Sequence, residues 1–256
     1  MSKQRCAYSL SQEQVSEFWR NGFLGPFALC APGEMEAIRE RVFTEVLTTP
    51  GPCTYDERGL PDKFSCRHLD SLIVRGLCTS PAIIEKVASI LGRDLILVSS
   101  RIWVKDYNSK EIPWHQDGAY WPIYPKVGVS VWLALTQSTV SNGCVNLIQG
   151  SHKDFFPIIP ASEGKEFDTM IDPRHTDGVE KVCMTLNAGE FFVFDFNLLH
   201  QSDRNGSRAC RAGLSIQMSV PFVEVERDWF FPDHKVMLVS GEDHYGINNL
   251  IGSSSL

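Results

Sequence analysis

The sequence predicts a mainly β protein with flanking helices, a double-stranded β-helix of the cupin-like jelly-roll kind. Two observations carry the prediction. From residue 95 to about residue 225 the apolar residues recur with the period of two that belongs to strands, whereas residues 9–92 follow helical spacing. Several of those strands oppose an aliphatic face to a face of polar and small residues, which in a closed sheet points inward and lines a cavity. All 256 residues read as one domain, with a helical buttress over residues 9–92 and a jelly-roll core over residues 95–225.

The helices come first. Ser11 with Gln14 forms a capping box, Val15, Phe18 and Trp19 share one helical face, and Gly22 ends the helix in a left-handed conformation. A second helix starts at Pro32-Gly33, repeats Met35, Ile38, Val42 and Val46 at helical spacing, and stops before Thr48-Thr-Pro-Gly-Pro52. Asp70 or Ser71 caps a short helix over residues 71–77. A further helix has Ser80 as N-cap and Pro81 at its first position, carries Ile83, Ile84, Val87, Ile90 and Leu91 inward, and ends at Gly92.

Then the strands begin. Over residues 99–105, Ser99, Arg101, Trp103 and Lys105 share one face; over residues 129–135, Ser130, Trp132 and Ala134 oppose Val129, Val131, Leu133 and Leu135. Over residues 211–220, Arg211, Gly213, Ser215, Gln217 and Ser219 oppose Ala212, Leu214, Ile216, Met218 and Val220. One such strand is equally an ordinary half-solvated one. Repetition across strands beside a metal-binding motif argues for a lined interior. The insert over residues 155–180, with Pro157, Pro160, Gly164, Pro173 and Gly178, reads either as a lid over the barrel mouth or as a surface excursion.

Composition narrows the function. With 43% hydrophobic and 21% charged residues the chain is an ordinary soluble globular protein. A net charge of -7 with no basic run predicts no nucleic-acid partner and no anionic-membrane partner, and no apolar stretch approaches spanning length. The cysteines, Cys6, Cys30, Cys53, Cys66, Cys78, Cys144, Cys183 and Cys210, have no C-x-x-C spacing. Met1-Ser-Lys-Gln-Arg-Cys6 lacks an apolar signal region and Ser253-Ser-Ser-Leu256 is not a Ser-Lys-Leu address, so the expected location is cytoplasmic with reduced thiols. No assembly state is read from the sequence.

The chemistry-bearing stretch is Trp114-His115-Gln116-Asp117-Gly118, with His200 and Arg211 far downstream. One imidazole nitrogen and one carboxylate oxygen, completed by a distant His, form a facial set of metal ligands that leaves coordination positions open, as non-haem Fe(II) oxygenases require. The pattern is short. His68-Leu-Asp70 and His152-Lys-Asp154 also fit it. Only His115 lies between two β-rich runs, whereas His68 precedes a helix start and His152 lies in a polar turn, so His115 and Asp117 are the expected ligands.

These residues, followed by Ser141-Asn-Gly-Cys144 leading to Gly150-Ser-His152, and then by His200, Ser202, Asn205, Ser207 and Arg211 at offsets 0, 2, 5, 7 and 11, closely resemble the phytanoyl-CoA dioxygenase family across residues 9–222. The resemblance implies Fe(II) held by His115, Asp117 and His200, 2-oxoglutarate chelating the iron, and O₂ as oxidant, with succinate and CO₂ released as a substrate is hydroxylated. It assigns Arg211 to the far carboxylate of 2-oxoglutarate, since guanidinium pairs bidentately with carboxylate, and places Ser130 and Trp132 beside the same cosubstrate. Halogenases of the family replace the carboxylate ligand by a small residue. Asp117 is retained, so hydroxylation is expected.

The expected partner is a small-molecule substrate, a polar metabolite or natural-product intermediate. Tyr120, Trp121, Trp103 and Arg101 are its candidate contacts, with Tyr124 beside them. The aromatics either cage a quaternary ammonium or, more commonly, pack a barrel mouth, and Arg101 suits a carboxylate or phosphonate. An acyl-CoA hydroxylase of the same family, a non-catalytic metal-binding protein on the same fold and a zinc hydrolase are the alternatives. The acidic composition leans against a polyanionic CoA ester.

Overall fold

A computed structural model of the chain describes residues 8–52, 62–226 and 234–251. Cys6, Cys53 and the terminal segments on which the export and targeting readings rest lie outside them.

The chain opens with α1 (Gln12–Asn21), whose N-terminus carries the expected capping box: the Gln14 N–H donates to Ser11 Oγ at 3.1 Å and the Ser11 N–H to Gln14 Oε1 at 2.9 Å. Gly22, at φ 85°, ends it by donating its N–H to the Phe18 carbonyl. Of the predicted apolar face only Phe18 is buried, and Trp19 stands 47% exposed against its edge. The first departure from the helical reading follows at once, because β1 (Phe23–Ala28) joins the main sheet. Next, α2 (Pro32–Arg41) continues into a π-helical turn at Val42–Val46, so that the predicted helix keeps its length with a wider last turn. Ser71 caps α3 (Leu72–Cys78) through the Val74 N–H; α4 (Pro81–Leu91) starts on Pro81, with Ser80 at the N-cap position but making no side-chain cap.

The remaining strands are β2 (Leu95–Lys105), β3 (Ile112–His115), β4 (Ile123–Tyr124), β5 (Val129–Ala134), β6 (Val145–Leu147), β7 (Ile158–Pro160), β8 (Thr169–Ile171), β9 (Val182–Met184), β10 (Glu190–Asp195), β11 (His200–Ser202), β12 (Arg211–Ser219), β13 (Glu224–Val225), β14 (Val236–Ser240) and β15 (Leu250–Ile251). The one-turn helix α5 (Asp117–Tyr120) interrupts them after β3. Two sheets result. The larger runs β1-β10-β5-β12-β2-β14-β15 and the smaller β3-β11-β6-β9, with β7–β8 and β4–β13 as separate ribbons. β14 and β15, at one end of the larger sheet, lie beyond the residue 225 boundary read from the sequence; five and two residues are too short for a period of two to mark.

Every second residue of the central strands then finds the environment its polarity demands. The aliphatic face of β5 and β12, including Val131, Leu133, Leu214 and Ile216, packs against Phe18, Met35, Val42, Ile83 and Val87 of the helices. Deleting such a ring as Phe18, fully buried there, costs about 3–5 kcal/mol. On the opposite face Trp132 and Phe194 meet Val145, Leu147 and Met184 of the smaller sheet, which closes the sandwich at one end. The polar residues of that same inner face are left to line a cavity. The fold is the jelly roll the sequence predicts.

Candidate metal centre

His115 ends β3 and His200 begins β11, and the antiparallel pairing sets them directly opposite each other. Their ring centroids lie 4.0 Å apart. Asp117 starts α5, two residues on, where the turn swings its carboxylate back over both rings: Oδ1 is 3.8 Å from His115 Nε2 and 3.7 Å from His200 Nε2. One ligating atom from each of the three lies within 4.8 Å of the others, the only such group among the described residues.

The surroundings fix which atoms face the centre. His115 Nδ1 donates to the Pro113 carbonyl at 2.8 Å and His200 Nδ1 to the Leu198 carbonyl at 2.9 Å, so each Nε2 keeps its lone pair for a cation. Burial, with the His200 ring beside it, holds the His115 imidazole well below its ordinary pKa, which favours the neutral, ligating form. Ser130 Oγ donates to Asp117 Oδ2 at 2.5 Å, leaving Oδ1 for a metal. Ser130, expected beside the cosubstrate, thus also supports the carboxylate ligand.

The residue between the two motif ligands has its own work. The Gln116 amide donates to the Asp154 and Asn197 carbonyls at 2.8 and 2.5 Å and accepts from the Phe156 N–H at 3.2 Å, tying the start of the insert to the loop that delivers His200. Ser151 does the same from below, donating to the Ile148 carbonyl and accepting from the Leu199 N–H. The other two His-X-Asp triplets go elsewhere: His68 is buried against Ser100 Oγ at 2.7 Å, and His152 Nε2 meets the Trp19 carbonyl at 3.1 Å.

Between His200 and Arg211 the chain is a loop held by its own side chains. Asn205, fully buried, donates to the Lys105 and Ala209 carbonyls, both at 2.8 Å, and accepts from the Ser207 N–H and hydroxyl. Ser202 Oγ donates to the Gly143 carbonyl, and Lys105 Nζ donates to the Ser202 and Asp203 carbonyls at 2.9 and 2.7 Å. Burial and the neighbouring Arg211 charge lower the Lys105 ammonium to about 7. Gly143, at φ 80°, admits this loop, because a Cβ there would lie 2.4 Å from the Asp203 carbonyl oxygen. The residues at offsets 2, 5 and 7 thus set the distance between His200 and Arg211.

Arg211 itself is 1% exposed, with its guanidinium 4.4 Å above the Trp132 ring. Among the described residues none of its three side-chain nitrogens has a hydrogen-bond partner. Burial lowers it to about 10. An unpaired cation so deep in a protein is expensive unless an anion completes it. Trp132 supplies the face beneath it, and Gly213 makes room for that ring, since a Cβ there would lie 2.2 Å from Trp132 Cζ2.

His115, Asp117, His200 and Arg211 open into one cavity of about 710 Å³. Trp103, Tyr120, Trp121 and Arg101 line it too. Each also has a partner in the protein: Trp103 Nε1 donates to Ser215 Oγ, Tyr120 OH meets Thr169 Oγ1 at 2.7 Å, Trp121 stacks on Phe196, and Arg101 is paired with Asp62 at 2.7 Å and Ser65 at 2.5 Å, its Nε keeping no hydrogen-bond partner among the described residues. Tyr124 is exposed and outside the lining. Sequence reading offered the insert as a lid but named none of the residues it brings to the cavity. The β7–β8 ribbon carries Phe167 edge-on to His115 at 5.0 Å, and Glu166, Asp168 and Thr169 line the wall beside it, while Lys165 pairs with Glu111 at 2.6 Å. Its irregular, Pro- and Gly-broken sequence gives no periodicity from which an inward side could be read. Gln217, by contrast, shared the polar face with Arg211 and was findable.

Comparison with known proteins follows the same lines. Residues 18–213 match the family described as phytanoyl-CoA dioxygenase. The chain is 27% identical over 217 residues to the ectoine dioxygenase of Nocardia farcinica, spanning 75% of this chain and 72% of that one. It is 30% identical over 138 residues to the phytanoyl-CoA dioxygenase of Arabidopsis thaliana, spanning 52% and 48%. Among solved structures, "CytC3 with Fe(II) and alpha-ketoglutarate" superposes with a TM-score of 0.75 at 24% identity, over 96% of this chain and 95% of that one.

Proposed function

The chain belongs to the phytanoyl-CoA dioxygenase family, and from that premise we propose that His115, Asp117 and His200 hold Fe(II) and that Arg211 binds the far carboxylate of 2-oxoglutarate. The protein is an Fe(II)- and 2-oxoglutarate-dependent dioxygenase acting on a small molecule. The reaction proposed is hydroxylation of a small polar metabolite or natural-product intermediate. Bound iron, 2-oxoglutarate and O₂ together supply the oxidising power that couples decarboxylation of the cosubstrate to oxygen insertion.

The residues present fit that assembly. The observation that carries the reading is a buried guanidinium without an acceptor among the described residues, in the same cavity as two Nε2 lone pairs and one open carboxylate oxygen. Arg211 would fix the cosubstrate at one end by paired N–H donors, and Trp132 would hold the guanidinium plane in place. Ser130 holds Asp117 in its ligating orientation. Phe167 and Tyr120 pack against the His115 ring and would help keep water from the reacting atoms. A cytoplasmic location belongs to the same proposal, supported by the scattered cysteines. Among the described residues no helix is long and apolar enough to cross a membrane.

The test is succinate release with candidate metabolites, ectoine among them because of the relative so named, with product masses checked for one added oxygen. His115→Ala and His200→Ala should each lose iron and turnover. His152→Ala and His68→Ala should keep iron. Iron content near that of the parent in either of the first pair would remove the ligand assignment.

A further inference from the structure

The charges facing the cavity point to the chemistry of the prime substrate, on the reading above that a small molecule is oxidised at the metal. The charges of a divalent ion and Arg211 cancel those of Asp117 and a 2-oxoglutarate dianion. Arg101 is neutralised by Asp62 and Lys165 by Glu111; Lys105 donates to two backbone carbonyls behind the lining, and its charge acts on Asp203, Glu166 and Glu111. What remains on the lining is Glu166 and Asp168, both exposed, neither carboxylate having a hydrogen-bond or ion-pair partner among the described residues. Phe167 between them, with Trp103 and Tyr120, adds aromatic faces to the same wall. Even with the Lys105 charge set against Glu166 the wall stays net negative, so an anion such as a CoA ester meets repulsion on entering, whereas a cation meets attraction and ring faces.

A second observation lies deeper. Gln217 is 4% exposed and lines the cavity, yet its Oε1 has no donor among the described residues. On the sheet it sits directly across from Ser130, whose hydroxyl holds Asp117, and from Ser99 on the other side. A buried amide oxygen without a donor is costly, so this position calls for a ligand N–H or O–H close to the metal. We infer that the prime substrate is an organic cation bearing N–H donors, of the protonated amine, amidine or guanidine class, with an N–H on Gln217 Oε1 and its charge facing Glu166 and Asp168. A quaternary ammonium satisfies the charge and leaves Gln217 without its donor.

Four aromatic probes of similar size separate the contributions. Phenylguanidine is a cation with N–H donors, phenylurea its neutral isostere, phenyltrimethylammonium a cation without N–H, and benzoate an anion. Each is titrated anaerobically into the enzyme loaded with Fe(II) and 2-oxoglutarate, following tryptophan fluorescence, which Trp103 reports from the cavity wall. Phenylguanidine should bind saturably and about tenfold or more tighter than phenylurea, with benzoate weakest. Glu166→Gln with Asp168→Asn should erase that preference. Gln217→Leu should weaken phenylguanidine about tenfold and leave phenyltrimethylammonium unchanged. Benzoate or phenylurea binding as well as phenylguanidine, no saturable binding of phenylguanidine, or equal weakening of both cations by Gln217→Leu would each overturn the inference. The metal-to-ligand absorption of the Fe(II)–2-oxoglutarate complex is recorded in the same samples. Its absence in the parent defeats the underlying metal reading instead, and its persistence in the variants shows that they are folded.

Discussion

Replacing Arg211 by leucine sets two consequences of burial against each other. In the free protein the guanidinium is 1% exposed and has no acceptor among the described residues, and burial lowers its pKa to about 10. Against the ordinary guanidinium range, that shift disfavours the folded cation by about 3 kcal/mol at neutral pH. A base whose folded pKa lies below its unfolded one carries this cost in full below about 10 and sheds it only as the pH rises further. Arg211→Leu should therefore leave the free enzyme as stable as the parent or more so, as when buried charges are replaced by apolar side chains. Cosubstrate binding should move the other way. The far carboxylate of 2-oxoglutarate would be desolvated without a partner, a loss of about 2–5 kcal/mol, or roughly 30-fold to several thousand-fold in affinity. Arg211→Lys should recover only part of it, since an ammonium lacks the planar two-donor fork. Anaerobic titration with 2-oxoglutarate and thermal melts with and without it measure both arms. At about 100 times Kd the cosubstrate stabilises the parent by about 2.7 kcal/mol, a rise of roughly 5–10 °C in Tm, and Arg211→Leu should show no such rise. A leucine variant that binds 2-oxoglutarate like the parent refutes the reasoning. An effect confined to the prime substrate moves Arg211 into the substrate pocket.

Asp117→Ala should abolish hydroxylation even where some iron is retained, because the metal loses a ligand and Ser130 its acceptor; full turnover in that variant is incompatible with the proposed centre. Asn205→Ala strands two carbonyls and an N–H in a buried loop, so urea unfolding should show a loss of about 2–4 kcal/mol together with weaker 2-oxoglutarate binding, and an unchanged midpoint would mean that the loop is rigid without it. His68 is fully buried and held down to about 3, chiefly by desolvation and also by the charges of His234 and Arg75. Since the unfolded chain takes up that proton near 6.5 and the folded one does not until about 3, stability should fall as pH drops through this window, by up to about 1.4 kcal/mol per pH unit from this residue. His68→Leu should flatten the acid side of a stability–pH curve measured by urea unfolding; the same slope in parent and variant would assign the acid sensitivity elsewhere.

By itself the sequence determined whatever is written in short periods and fixed spacings. Alternation over residues 129–135 and 211–220 marked the inner and outer faces of the sheet correctly, because side chains alternate across any strand whatever its partners. The capping box at Ser11 and the left-handed Gly22 are local energetics, settled within four residues of chain. His115 and Asp117 could be proposed from a short motif between two strands, and His200 with Arg211 from a spacing that records the loop held by Asn205, Ser202 and Ser207. The three His-X-Asp triplets could be ranked from their surroundings for the same reason.

The tertiary structure decided what depends on partners far along the chain. That β1 and β14 would extend the main sheet follows from edges offered by β10 and β2, which nothing within either short segment announces. Arg101 looks like a free anion anchor in its strand; Asp62, 39 residues upstream, takes its charge. Trp132 and Ser130 were expected beside the cosubstrate; the contacts that put one under Arg211 and the other on Asp117 come from packing that the sequence does not spell out. The insert brings Phe167 onto His115 because Lys165 meets Glu111 and Thr169 meets Tyr120, contacts made by folding back across about fifty residues. Charge balance in the cavity is likewise a property of the assembled site. Local sequence fixes which groups can ionise, but only proximity decides which charges cancel, and so which ligand the remaining Glu166 and Asp168 would attract.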